Sequence, residues 1–144
     1  MEKFAFILHP LSLQDMEHLS PLMRYIPDPI IEACLKMKKP FKVSHITGIK
    51  SPYAEAEGWF IGCPLTAKQM VELPEEFVMD RIIESGKVAQ ELGAKIVGLG
   101  AFTSIVGDAG ITVAKNLDIA VTSGNSYPVA TAIQGTKQAA RMMG

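Results

Sequence analysis

Residues 74–102 read PEEFVMDRIIESGKVAQELGAKIVGLGAF, and this stretch decides the fold. Pro74, Glu75 and Glu76 suit a helix's first turn, where proline loses no hydrogen bond and acids meet the positive end of the helix dipole. Val78, Ile82, Ser85, Ala89 and Leu92 then fall on one helical face. Gly93 suits the stop, because glycine tolerates the left-handed backbone that ends helices. KIVGLGAF follows as a short, nearly continuous apolar run, the pattern of a buried strand. A helix running directly into a buried strand is a building block of an α/β layer.

The same alternation extends outward in both directions. KFAFILH (3–9) is an apolar run and reads as a buried strand. FKVSHITGI (41–49) alternates as a second strand, KSPYAEAE (50–57) is a turn or loop, and GWFIGCPLT (58–66) is a third strand. SLQDMEHLSPLMRYI (12–26) reads as a helix interrupted at Pro21, and PDPIIEACLKMKK (27–39) as a short helix entered through Asp28 and Pro29. Downstream come a short helix in DAGITVAKNL (108–117), a strand in DIAVTS (118–123), and a long closing helix. Ser126 can cap that last helix, and Pro128 suits its first turn. The expected class is α/β: a layered, mostly parallel sheet flanked by helices and ending in a long helix. All 144 residues are read as a single domain, with no internal repeat or linker.

Composition excludes several functions. The chain is 48% hydrophobic and 20% charged, enough apolar material for a core and too much for disorder. Its net charge of −1 offers no global field for nucleic acid or acidic lipid. Lys36, Lys38 and Lys39 form a local basic cluster that reads as a solvated helix end. No stretch approaches the ~20 apolar residues of a membrane span. Cys34 and Cys63 show neither metal spacing nor a disulfide framework, and no metal site is expected. The first residues do not read as a signal peptide, so none is expected, and the expected location is the cytoplasm.

GLGAFT (98–103) invites reading as a dinucleotide-binding loop, with Asp118 lying 20 positions after Gly98 as the ribose acid. Two details oppose this. Thr103 replaces the third glycine, and Asp118 precedes its strand instead of ending it. The glycines are better explained by close packing or a tight turn. No nucleotide is expected to bind this chain.

Two strand ends collect small polar groups: Thr103 and Ser104 after one, and Thr122, Ser123, Asn125 and Ser126 after the other. In open α/β sheets, ligands bind beyond the carboxyl ends of strands. Hydroxyls and an amide can fix a carbonyl or carboxylate without adding a charge. Thr103, Ser104, Thr122, Asn125 and Ser126 are therefore the candidate substrate-binding residues, expected to share one cleft. The competing reading makes Ser126 only a cap, and Thr103 and Ser104 only turn formers. His9 ends the first strand and is the candidate proton donor, or a structural partner of a nearby carbonyl. Cys63 reads as a small buried hydrophobe more readily than as a nucleophile.

HPLS near the start, GWFIGCPLT, GLGAFTSIVGDAG and VTSGNSYPVA together resemble the N-terminal portion of long-chain acyl-(acyl-carrier-protein) reductases. They are also similar to bacterial relatives labelled amino-acid or shikimate-type dehydrogenases. The resemblance runs from about Phe4 to Gly144 and reinforces His9, Thr103 and Ser104. It implies that the closing helix leads to a nicotinamide-binding Rossmann domain after residue 144. It also implies that NAD(P) is the cofactor of the complete protein while none is bound by this chain. Neither Cys34 nor Cys63 inherits the acyl-accepting role.

The expected function is thus the substrate-binding front domain of an NAD(P)-dependent reductase or dehydrogenase acting on a carbonyl or acyl substrate, incomplete as a catalyst alone. A free-standing binding or interaction module without redox activity is the alternative. Expected partners are a small-molecule or acyl substrate, the Rossmann domain, an acyl carrier protein and a second copy of the chain. The closing helix is expected to pack on this domain through Val129, Ile133, Thr136 and Ala140, and elsewhere through Met142 and Met143.

Overall fold

A computed structural model of the chain describes residues 1–17 and 24–144. Its strands are β1 (Glu2–Leu8), β2 (Phe41–Lys50), β3 (Glu55–Gly62), β4 (Ile96–Leu99) and β5 (Ala120–Thr122). They form one sheet in the order β2-β3-β1-β4-β5. β1 runs parallel to β3 and β4, and β4 parallel to β5; β2 is antiparallel to β3. That last pair is joined by a tight turn, in which Ser51 Oγ accepts from the Tyr53 and Ala54 amides. Turns this short can join only antiparallel strands.

The described helices are α1 (Gln14–Glu17), α2 (Asp28–Met37), α3 (Ala67–Glu72), α4 (Glu75–Glu91), α5 (Ile111–Lys115) and α6 (Ser126–Met143). None is long and apolar enough to cross a membrane. The expected class is the observed one, a mostly parallel sheet flanked by helices with a long helix last. His18 and Pro21, read as helix surface and helix interruption, lie outside the described residues.

One face of the sheet carries the core. Ala5 and Ile7 from β1, Trp59 and Ile61 from β3, and Val97 and Leu99 from β4 meet Val78, Ile82 and Ala89 of α4, with Met70 of α3 and Val113 of α5. Burying each larger side chain here stabilises the fold by about 1.5–3 kcal/mol. α3 begins with a reciprocal cap: the Gln69 amide donates to Thr66 Oγ1 and the Thr66 amide to Gln69 Oε1. Thr66→Ala should cost about 1 kcal/mol in urea denaturation. An unchanged midpoint would mean the cap is redundant.

The second face is different. Phe4, Phe6 and Phe60 lie on it half-buried, and Leu8 and Ile96 are exposed by 38% and 40%. The Phe4 ring reaches over Gly58 and the Phe6 ring over Gly98 and Gly100. A Cβ at Gly98 would come within 2.6 Å of the Phe6 ring, and one at Gly100 within 2.6 Å of the Ile7 carbonyl oxygen. Close packing therefore accounts for both glycines of the GLG run.

Two expectations about α6 are corrected. It buries none of its residues, so Val129, Ile133, Thr136 and Ala140 do not pack on this domain. The helix springs from β5, at the sheet edge, and Gly124 enters it with φ +75° and open space around its Cα. Nor does Ser126 cap it. Asn125 holds the N-cap position, without a side-chain capping bond, and Ser126 is the first helical residue.

Candidate functional site

The carboxyl ends of β1 and β4 and the chain leaving β5 enclose an open cleft of about 740 Å3. Parallel pairing puts these ends side by side, because β4 lies between β1 and β5. Phe6, Leu8, Leu99 and Ile105 give the cleft an apolar wall, and His9, Ser104, Ser123 and Asn125 its polar groups. None of the described lining side chains is a lysine, arginine or carboxylate. A neutral cleft of this kind suits a ligand whose polar group is a carbonyl or amide.

Each polar group is set by its local backbone. His9 Nε2 accepts the Phe102 amide at 3.2 Å, and Nδ1 lies 3.0 Å from the Pro10 carbonyl oxygen. These bonds select the neutral tautomer with its proton on Nδ1, and both ring nitrogens are then engaged. The imidazole also packs edge-on against the Phe102 ring, centroids 5.9 Å apart. His9 thus ties the end of β1 to the turn after β4, and proton donation would require breaking one of these bonds.

That turn, Ala101–Ser104, is tight, and Ala101 takes φ +47°. A left-handed alanine costs about 1–2 kcal/mol, so the surrounding bonds must hold it. Thr103 Oγ1 donates to the Gly100 carbonyl at 2.7 Å, and Ser104 Oγ to that of Ala101 at 2.7 Å. Thr103 is buried and does not line the cleft; Ser104 does, with its oxygen free to accept.

The β5 side divides in the same way. Thr122 Oγ1 accepts the Gly124 amide at 3.1 Å and stays outside the lining, as does Ser126. Asn125 and Ser123 face the cleft. The structure therefore brings together His9, Ser104 and Asn125 of the six candidates and turns Thr103, Thr122 and Ser126 elsewhere. Ala101 and Ile105 were not singled out in the sequence. A positive φ on alanine leaves no compositional trace.

Cys63 follows β3 and borders a second, almost wholly apolar cavity of about 320 Å3, with His9, Leu35, Phe41 and Val43 on its wall. The cysteine itself is fully buried. Burial pushes its thiol up to about 11, despite a hydrogen bond with Ser85 that acts the other way. With both His9 nitrogens engaged, no described base is positioned to ionise it. Cys63 packs in the core beside this cavity. Among the described residues, no group of three or more His, Cys, Asp or Glu is placed to hold a metal ion.

No family model matches the chain. Over 85 residues, 59% of its length, it is 38% identical to "Aminotransferase PigE" of Serratia sp. (strain ATCC 39006). The matched segment spans 9% of that relative. A protein so much longer than the match has room for several domains.

Proposed function

We propose that this chain is the substrate-holding domain of a larger NAD(P)-dependent reductase or dehydrogenase, acting on a carbonyl or acyl group and inactive in hydride transfer by itself. The observation that carries this reading is the neutral cleft at three adjoining strand ends. There Ser123 and the Asn125 amide can donate to a carbonyl oxygen against an apolar wall, while Ser104, whose hydroxyl donates to the Ala101 carbonyl, offers an acceptor. Such groups hold a carbonyl oxygen in place without changing its charge. Hydride chemistry belongs to the cofactor. The glycines that could have cradled its phosphates are occupied by the Phe6 ring and the Ile7 carbonyl. In the complete protein the cofactor would come from a Rossmann domain reached through α6, with an acyl carrier protein as one source of substrate.

A second reading follows from the matched relative: the domain serves as one module of a multidomain aminotransferase. That reading requires the amine-transfer machinery to lie elsewhere, since the cleft lining includes no lysine to anchor a pyridoxal cofactor.

Calorimetric titration with a short-chain aldehyde and a short acyl-pantetheine thioester tests the proposal. Binding should be saturable, and Asn125→Ala should weaken it by about tenfold, the worth of roughly one hydrogen bond. Saturable micromolar binding of NADH or NADPH would overturn it, as would a substrate probe indifferent to Asn125.

A further inference from the structure

We propose that two copies of this chain associate by exchanging α6, each helix lying across the open face of the other copy's sheet. Both surfaces lack a partner among the described residues. Strands paired in parallel are normally covered on both faces, yet Phe4, Phe6, Phe60, Leu8 and Ile96 have no helix layer over them in the core cluster. Phe6 and Leu8 also wall the cleft, so an exchanged helix seated there and a ligand in the cleft exclude one another. α6 carries an apolar stripe with Val129 and Ile133 exposed by 57% and 50%. An 18-residue helix that buries nothing gains no stability from packing, which is where most helical stability in proteins comes from.

The two surfaces fit in shape. The sheet face has room for a helix at its glycines, where the Phe4 ring reaches over Gly58 and the Phe6 ring over Gly98 and Gly100. The helix is narrow, with Ala130, Ala132, Gly135, Ala139 and Ala140 along it. At 1.5 Å per residue α6 is about 27 Å long, and the seven residues of β1 span about 23 Å.

Area decides between arrangements. A helix about 27 Å long and 10 Å wide casts a footprint of about 270 Å2. Two exchanged helices on two sheets remove about 1,100 Å2, above the roughly 1,000 Å2 that a specific interface needs. Two α6 helices packed only on each other remove about half as much and leave both sheets bare. The direction of the helix also favours a second copy. Gly124 and Asn125 already carry α6 away from its own sheet, and reciprocal exchange closes with two-fold symmetry.

Light scattering after size exclusion tests this on the chain as it stands. The parent should be a dimer. Val129→Asp/Ile133→Asp on the helix and Ile96→Lys on the sheet should each raise the dimer dissociation constant by at least about a hundredfold. All three positions are solvent-exposed, and far-UV circular dichroism checks that the fold persists; Leu8→Lys replaces Ile96→Lys if it does not. Mixing the helix variant with the sheet variant leaves one good helix on one good face, about half the exchanged area, so the mixture should associate more tightly than either variant alone and more weakly than the parent. A monomeric parent overturns the proposal, and so does a dimer sensitive to the helix changes but not to the sheet change. A mixture that associates no more tightly than either variant alone overturns it as well.

Discussion

Replacing Gly100 by alanine should lower stability by about 1–3 kcal/mol, the usual cost of forcing atoms into filled space. The added Cβ would stand 2.6 Å from the Ile7 carbonyl oxygen and 2.7 Å from the Phe6 ring. Ile7 is fully buried in the core, so its backbone cannot retreat without moving β1. The backbone of Gly100 itself is extended, at φ −99°, and would accept alanine readily. The clash is therefore the whole effect. Gly135→Ala is the control: its Cβ would meet nothing within 4 Å, and alanine favours a helix over glycine. Urea denaturation of the two variants measures the difference. A Gly100→Ala chain as stable as the parent would free this glycine from its packing role and reopen the phosphate-loop reading.

Stability should also fall as pH rises from about 9 to about 11, by about 3 kcal/mol through Cys63 alone. The folded thiol keeps its proton until about 11, against an ordinary value of 9.0. Above pH 9 the unfolded chain loses this proton while the folded chain does not, and ionisation draws the equilibrium towards unfolding. The stabilising contribution is complete below the unfolded value and gone above the folded one. Lysines and tyrosines titrate nearby, so the difference between the parent and Cys63→Ala isolates the effect. Alkylation gives a second readout: exposed Cys34 should react in the native state and Cys63 only on unfolding. Rapid native alkylation of Cys63 at neutral pH would restore it as a nucleophile.

Much of the fold was legible because burial leaves a period in the sequence. The spacing puts Val78, Ile82, Ser85, Ala89 and Leu92 on one face; the first four are buried in α4, and Leu92 is its half-buried C-cap. Gly93 takes φ +85° where the helix stops. Periodicity reveals an apolar stripe without revealing what covers it. The stripe of α6 predicts its helix, but the helix packs none of it on its own domain. The antiparallel direction of β2 was equally silent, since alternation records which face is buried and not which way the partner runs.

The candidate cleft was legible in position and only half in membership. Parallel neighbours carry their carboxyl ends to one side, so Ser104 and Asn125 converge with His9. Thr103 and Thr122 have the same chemistry, but their hydroxyls bond backbone groups within their own turns. Which hydroxyl turns inward depends on the left-handed Ala101 and on Gly124, and only the folded backbone shows that.

The central claim is that the cleft at the strand ends holds substrate while the cofactor is held elsewhere. Backbone amide NMR during titration tests it residue by residue, with the acyl-pantetheine thioester in one series and NADPH in another. The account predicts saturable shifts at Ser104, Ser123 and Asn125 with the thioester and none with NADPH. Saturable NADPH shifts across Gly98–Ala101, with the thioester leaving Ser104 and Asn125 unmoved, would contradict it.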